Sequence, residues 1–517
     1  MRKRSLKQSI VKNSFWSFSS SFIARVGGLF FTIVLARFLM PENYGIYSIV
    51  LSTVMIFYTF ADLGVNETLA RYISLAIKKE KTKISSYYKY LLKIKLVLSL
   101  CVSLLSIILA YPISAYFFKN DALFLPLLAG SFYIFVLAME GFYTRLFYPI
   151  ERVEYLSIRA LLTQILRIIA VFFVFYFVAS SYQVMWIFFS LILVHTSVLL
   201  LILSDLKKLI PELSRPAKAR IDKKEIRKFV GFLTIATISG VFFSYVDSII
   251  LGFFLLPEFV GYYVAAFSII AATTSFIAFP NIILLPIFAK VTKLESEKVF
   301  NKVFRFLVIL AVPSSFGLVV FRKYIINLLY GNSYLPSALP LFFLAFLIVP
   351  MACVGTFLPF FSAKGKPQIF AKLIIITGII NIILSLIFIK LLLIISPSWA
   401  MTGAAIANLI SWTYYFLTAF YISKKQFNLK ISFKPLTKPI ISSLFMTAIL
   451  LIFLSFFKDV GIILGIILIL FGSSIYFISM VLIKGITKED LELFRLLIKR
   501  EKFGSEHKNL KIKKLSN

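Results

Sequence analysis

The sequence predicts an all-α, polytopic membrane protein with about 14 transmembrane helices, arranged as two six-helix lobes plus two C-terminal helices. Three observations predict it. Of 517 residues, 60% are hydrophobic and only 15% charged, against about 45–50% and about 25% in a soluble domain. Apolar runs of about 20 residues, long enough to cross ~30 Å of hydrocarbon, recur from the first turns to residue 483. A short motif also recurs at matching places: P-E-N-Y-G-I-Y at 41–47 and P-E-F-V-G-Y-Y at 257–263.

Taken in order, residues 1–13 form a basic N-terminus, and the first lobe occupies 14–204 with spans at 14–38, 44–66, 91–117, 124–144, 156–178 and 183–204. The basic start and a cleavage-like Val34-Leu35-Ala36 resemble a signal peptide, but Ser-rich residues and Arg25 interrupt the apolar segment, so an uncleaved helix is expected. A polar linker, 205–228, contains Pro211, Pro216 and an Asp222/Glu225 capping box, and should form an interfacial helix at the seam. The second lobe runs over 229–422, with spans at 229–254, 262–288, 304–321, 337–361, 369–394 and 401–422. Pro280 and Pro286 interrupt the second of these. Spans 437–457 and 461–483 fall in a further segment, 423–483, where Gly461 and Gly465 form a GxxxG pattern suited to helix packing. The basic tail, 484–517, carries an amphipathic helix at 487–499 opened by Thr487 and Asp490.

In the repeated P-E-x-x-G-x-Y motif, proline ends one helix and glycine allows two helix ends to approach closely. Its two copies predict that spans 1–6 and 7–12 are parallel repeats with a substrate cavity between them.

The net charge of +34 suggests nucleic acid, yet the basic clusters alternate with membrane spans and no nucleic-acid motif is present, so no such partner is expected. The charge is a topology signal instead. Loops on one side carry only Lys119, Arg322, Lys323, Lys390 and Lys458, so both termini belong on the other, cytoplasmic side of the cell membrane, facing anionic lipid head groups. The two cysteines, Cys101 and Cys353, lie within apolar runs and read as small core residues, with no metal site.

Several segments, V-L-A-R-F-L-M-P-E-N-Y-G-I-Y (34–47), A-D-L-G-V-N-E-T-L-A-R-Y (61–72), V-D-S-I-I-L-G-F-F-L-L-P-E-F-V-G-Y-Y (246–263), L-Y-G-N-S-Y-L-P-S-A (329–338), A-K-G-K-P (363–367) and G-A-A-I-A-N (403–408), resemble the polysaccharide flippase family. That family belongs to the multidrug/oligosaccharidyl-lipid/polysaccharide exporter superfamily. The resemblance covers residues 10 to about 420 through loose motifs. It implies a two-lobed, MATE-like bundle that flips isoprenoid diphosphate-linked oligosaccharide from the inner to the outer leaflet by alternating access, and it leaves glycan-assembly proteins as partners.

Charged side chains inside spans are the site candidates, because each costs at least about 2.5 kcal/mol near the bilayer centre unless it has a partner or a wet cavity. Arg25 in the first span and Arg167 in the fifth fall near mid-depth. Arg159, Thr163 and Arg167 form one helical stripe, bordered by Gln164. Their guanidinium groups suit the paired oxygens of a diphosphate. The alternative is that these arginines pair with Asp62, Glu140 and Asp247, which are also candidates for ion coupling. Asp62 or Glu67 could instead dock on Arg71, Arg37 and Lys93 should snorkel to the interface, and His195 should be a neutral, hydrogen-bonded core imidazole. Tyr245, Asn281, Asn381 and Asn408 could bond either sugar hydroxyls or other helices.

No P-loop, GxSxG or HExxH pattern occurs, so the sequence indicates neither an enzyme nor a chemical cofactor. The alternatives to an oligosaccharide flippase are a multidrug extruder, a peptidoglycan-precursor flippase, a membrane glycosyltransferase or a non-transporting scaffold. An extruder of cations should line its cavity with acids, and a glycosyltransferase needs paired carboxylates on sizeable outer loops.

Overall fold

A computed structural model describes residues 6–217, 219–288, 292–457 and 461–486. Among these residues there is no strand. Helices α1 (Leu6–Asp62), α2 (Val65–Lys79), α3 (Ile84–Pro112), α4 (Phe124–Thr144), α5 (Glu154–Phe177) and α6 (Gln183–Leu209) build the first lobe. Helices α7 (Lys223–Phe254), α8 (Pro257–Ile277), α9 (Leu284–Phe288), α10 (Lys293–Tyr330), α11 (Ala338–Leu344), α12 (Ile348–Val354), α13 (Phe357–Ala363), α14 (Pro367–Leu393) and α15 (Pro397–Phe427) build the second, and α16 (Lys434–Ser455) and α17 (Ile462–Leu482) follow.

Twelve of the described helical segments are long and apolar enough to cross a membrane, by length and composition. The first of them folds two spans into one element. Met40, at φ 60°, turns the chain one residue before Pro41, and helix resumes at once. With that hairpin divided and α7, 32 residues long, counted, helical segments stand at each of the fourteen expected places. Many large apolar side chains, among them Ile108, Tyr176, Leu193 and Ile394, lie on the surface. An apolar exterior of this extent requires a hydrocarbon solvent.

Other boundaries differ from the expectation for local reasons. The 262–288 span stops at Ile277, and a short tight turn around Pro280 leads into the five-residue α9. The 337–361 span is a chain of short helices broken at 345–347 and 355–356, with Pro340, Pro350 and Pro359 each the third residue of one helix. Among its described residues the linker forms no separate interfacial helix: a tight turn at Pro211–Ser214 is followed by no helix until Asp222 opens α7. Asp222 caps α7 by accepting from the backbone N–H of Lys224 and Glu225, at 2.9 and 3.0 Å. Glu225 does not close the reciprocal half of the box; its carboxylate accepts from the Tyr72 hydroxyl at 3.1 Å. Burial and that carboxylate push Tyr72 up to about 12, so it remains a donor at any working pH. The amphipathic helix at 487–499 lies outside the described residues. Cys353 is buried, but Cys101 is exposed on the apolar face and is no core residue.

The repeated motif is where the lobes meet. A Cβ at Gly45 would sit 1.7 Å from the Pro257 carbonyl oxygen, and one at Gly261 would sit 2.3 Å from that of Pro41. Each glycine thus accommodates the other copy's proline, giving a reciprocal contact between α1 and α8. The same end is held by Arg37, which donates to the carbonyls of Leu328 and Leu329 at the C-terminus of α10, at 2.5 and 2.7 Å. A cation there completes orphan carbonyls and meets the negative end of the helix dipole. Arg37 therefore caps the opposite lobe and does not snorkel. Tyr334, fully buried, donates to Ala36 O at 2.8 Å.

The other end of the bundle is called the basic face below. There, Thr234 donates to Leu63 O at 3.0 Å, Arg71 lies 4.0 Å over the Phe229 ring, and Ser85 donates to Arg215 O at 2.5 Å. These contacts tie the linker and the start of α7 to the first lobe. Helix α16 packs on α10 and α17 on α16. Gly465 faces the Tyr324 ring, whose hydroxyl donates to Gly461 O, while a Cβ at Gly461 would meet open space, so close packing in the GxxxG needs a glycine at one of its two positions.

Candidate functional site

A cavity of about 330 Å³ lies between α1, α4, α5 and α6 of the first lobe and α8 of the second. Arg25 and Arg167 both line it, with Tyr47, Tyr133, Ser268 and Ser275. No acidic side chain is among its lining residues.

The local structure explains how α1 and α5 bring the two arginines together. Gly27 has no side chain, which lets Gln164 of α5 pack on it; a Cβ there would lie 2.5 Å from Gln164 Cγ. One turn on, Arg167 Nη2 donates to Gly27 O at 3.2 Å, and its guanidinium stacks 4.0 Å from the centroid of Phe31. Stacking fixes the plane and offsets part of the desolvation. The Nε of Arg167 is buried with no hydrogen-bond partner, so its donor capacity is only partly used. Arg25 is exposed to the cavity and reaches across the lobes, donating from Nη1 to Ser275 O at 3.3 Å. Ser275 is two residues from the end of α8. Arg25 therefore sits closer to the basic face than its sequence depth suggests, while Arg167 lies further in.

The other members of the predicted stripe do not reach the cavity. Arg159 forms an ion pair with Asp205 of α6. Thr163 is buried and donates to Arg159 O at 2.8 Å, and Gln164 packs on Gly27 as described.

The membrane acids do not pair with the cavity arginines. Asp62, 8% exposed, pairs at 2.8 Å with the fully buried Lys95 of α3. Glu67 pairs with Arg145 at 2.6 Å, and neither acid contacts Arg71. Glu140 meets His195 Nδ1 at 2.5 Å, and His195 Nε2 lies 3.0 Å from the Tyr133 hydroxyl. His195 is thus a hydrogen-bonded imidazole within the lobe, as expected, with a carboxylate and a tyrosine hydroxyl as its two partners. Asp247 makes no ion pair among the described residues: it accepts from Tyr263 at 3.0 Å, Asn408 at 2.6 Å and Ser385 at 3.3 Å, all neutral donors. Asn408 and Asn281, which donates to Ala352 O at 3.1 Å, bond other helices and not the cavity. Lys93 is exposed, and Asn381 is buried outside the cavity.

Sequence reasoning missed Tyr133 and the partners Lys95 and Asp205. Lys95 carried the clearest signal, being a charge in an apolar run at a depth similar to that of Asp62.

A family model described as polysaccharide biosynthesis protein matches residues 10–292. A protein of Haloferax volcanii named "Probable low-salt glycan biosynthesis flippase Agl15" is 25% identical over 239 residues, which make up 43% of this chain and 48% of that relative. The chain thus spans about half the length of that relative. "Uncharacterized membrane protein MJ1068" of Methanocaldococcus jannaschii is 23% identical over 433 residues, 79% of this chain and 82% of the other. Among solved structures, "Lipid II flippase MurJ, inward closed conformation" superposes with a TM-score of 0.71 at 17% identity, over 91% of this chain and 98% of that one. An inward-facing multidrug resistance MATE family transporter of the MOP superfamily superposes at 0.59 and 12% identity, over 81% and 96%. At these identities the superpositions establish the shared two-lobed fold.

Proposed function

The chain belongs to the polysaccharide biosynthesis protein family, and from that premise we propose that it flips an isoprenoid diphosphate-linked oligosaccharide from the inner to the outer leaflet of the cell membrane. One observation carries this reading: among the described residues, the cavity between the lobes is lined by two arginines and no acid. Two positive charges in a site of low dielectric demand an anionic guest, and the forked guanidinium groups match a diphosphate. The same observation speaks against cationic drugs, whose site needs acids.

The basic face is the cytoplasmic side in this reading, with both termini there. The 14–204 and 229–422 segments rock about the cavity, the 205–228 linker straps them together, and 423–483 flanks the second lobe. The cargo's phosphates would first meet Arg25, near the cytoplasmic mouth, and then Arg167. Engaging Arg25 competes with its bond to Ser275 O, so binding itself loosens a contact between the lobes. Asp247, satisfied by neutral donors alone, is the candidate in the second lobe for exchanging a proton or small cation during the cycle.

The test is surface glycan in a host lacking its own flippase, at matched membrane expression. The intact chain should restore export, and Arg25→Ala and Arg167→Ala should each reduce it at least tenfold. Rescue only in a strain lacking its peptidoglycan-precursor flippase would assign that cargo, which has the same diphosphate chemistry. Drug efflux without glycan export would overturn the reading.

A further inference from the structure

The cavity wall continues into the first lobe as a chain of three side chains, Tyr133, His195 and Glu140. We propose that this chain is a proton-uptake site whose occupancy turns Tyr133 into a hydrogen-bond donor for an anionic group in the cavity. The inference rests on the reading of the cavity as an anion site and names what regulates it.

The argument follows the hydrogens. A carboxylate only accepts, so at the 2.5 Å contact with Glu140 the hydrogen belongs to His195 Nδ1. In the neutral ring this leaves Nε2 as an acceptor, and the Tyr133 hydroxyl at 3.0 Å must give it its only hydrogen. Tyr133 then shows the cavity nothing but lone pairs, which repel a phosphate oxygen. One added proton reverses the outer link. Nε2–H now donates to the Tyr133 oxygen, and the hydroxyl hydrogen is free to turn toward the cavity that Tyr133 lines beside Arg167. The carboxylate–imidazole pair also gains one positive charge. Both changes favour an anion, and by linkage a bound anion favours the proton to the same degree.

His195 lies on α6, which packs against α1, α4 and α5. Among the charged and titratable groups on those helices are Arg25, Tyr47, Tyr58 and Asp62 of α1, Tyr133 and Glu140 of α4, and Arg159 and Arg167 of α5. Asp62 is neutralised by Lys95, and Arg159 by Asp205. Arg167, within electrostatic reach of Tyr47 and Tyr133, remains, with Arg25, as a cation lining the cavity. The chain joins positions 55 and 62 residues apart, so it exists only in the folded lobe.

The test is calorimetric binding of UDP-glucose to the purified full chain at pH 5.5 and 8. The probe is a diphosphate diester whose charge is constant over that range. The intact protein should bind at least tenfold more tightly at pH 5.5, with net proton uptake read from two buffers of different ionisation heat. His195→Gln should bring the affinities at the two pH values within about twofold. Tyr133→Phe should keep the proton uptake but weaken binding at pH 5.5, which a merely structural role would not do. Binding that does not vary with pH, or a His195→Gln variant with the intact profile, overturns the coupling alone. No binding at either pH overturns the anion cavity and the coupling with it.

Discussion

Lys95 has no exposed surface and its ammonium is held by Asp62 at 2.8 Å. Breaking a buried pair by removing one partner leaves an uncompensated charge and costs about 3–5 kcal/mol, whereas replacing both partners is often neutral. Lys95→Met should therefore lower the thermal midpoint of the purified protein by several degrees, and Lys95→Met with Asp62→Asn should recover most of it. The cavity arginines are placed differently, since each has a carbonyl partner and no carboxylate. Arg25→Ala and Arg167→Ala should leave the melting midpoint nearly unchanged while reducing transport, a separation that thermal unfolding and export measured on the same preparations would reveal. At this scale the sequence was informative where a residue was out of place. Arg25 and Arg167 stand out because a charge in an apolar run is costly. Tyr133 is ordinary in such a helix, and only the fold shows that His195 reaches it.

At the scale of elements, the P-E-x-x-G-x-Y repeat was legible as a place of close approach, and the structure identifies what approaches: each glycine meets the other copy's proline. Gly45→Val cannot be accommodated against the Pro257 carbonyl and should hold the lobes apart at that end. In a background with Cys101→Ala and Cys353→Ala, a cysteine at the buried position of Tyr334 should then label with an external maleimide several-fold faster. Unchanged labelling would show that this contact does not close the bundle. The stripe Arg159, Thr163 and Arg167 illustrates the limit of periodicity. Spacing set these residues on one face of α5, but it carries no information about which neighbour that face meets. Helix α5 packs on both α1 and α6, so Arg159 turned to Asp205 while Arg167 turned to the cavity. The linker went astray for a related reason: Pro211 and Pro216 block a helix, and Asp222 needed only the backbone N–H groups of Lys224 and Glu225 to start α7. The capping box that does form, Thr292 with Glu295 at the start of α10, was present in the sequence and went unread.

At the scale of the molecule, two repeats meet at one end through reciprocal glycines and Arg37, and at the other through Arg25, Thr234 and the linker. A machine that alternates between sides must break one set while keeping the other. Arg37→Ala removes two hydrogen bonds from the far set alone, and should shift the population toward opening at that end without affecting the cavity; the maleimide assay reads this as faster labelling at position 334. The central claim is that an anionic lipid head group passes between the lobes by way of Arg25 and Arg167. The most direct measurement reconstitutes the full chain in vesicles with a fluorescent isoprenoid diphosphate sugar and follows its loss to a membrane-impermeant quencher. The account predicts protein-dependent translocation that falls at least tenfold in Arg25→Ala with Arg167→Ala and is absent for the same lipid without its phosphates. Equal translocation by the double variant, or of the uncharged lipid, would contradict it.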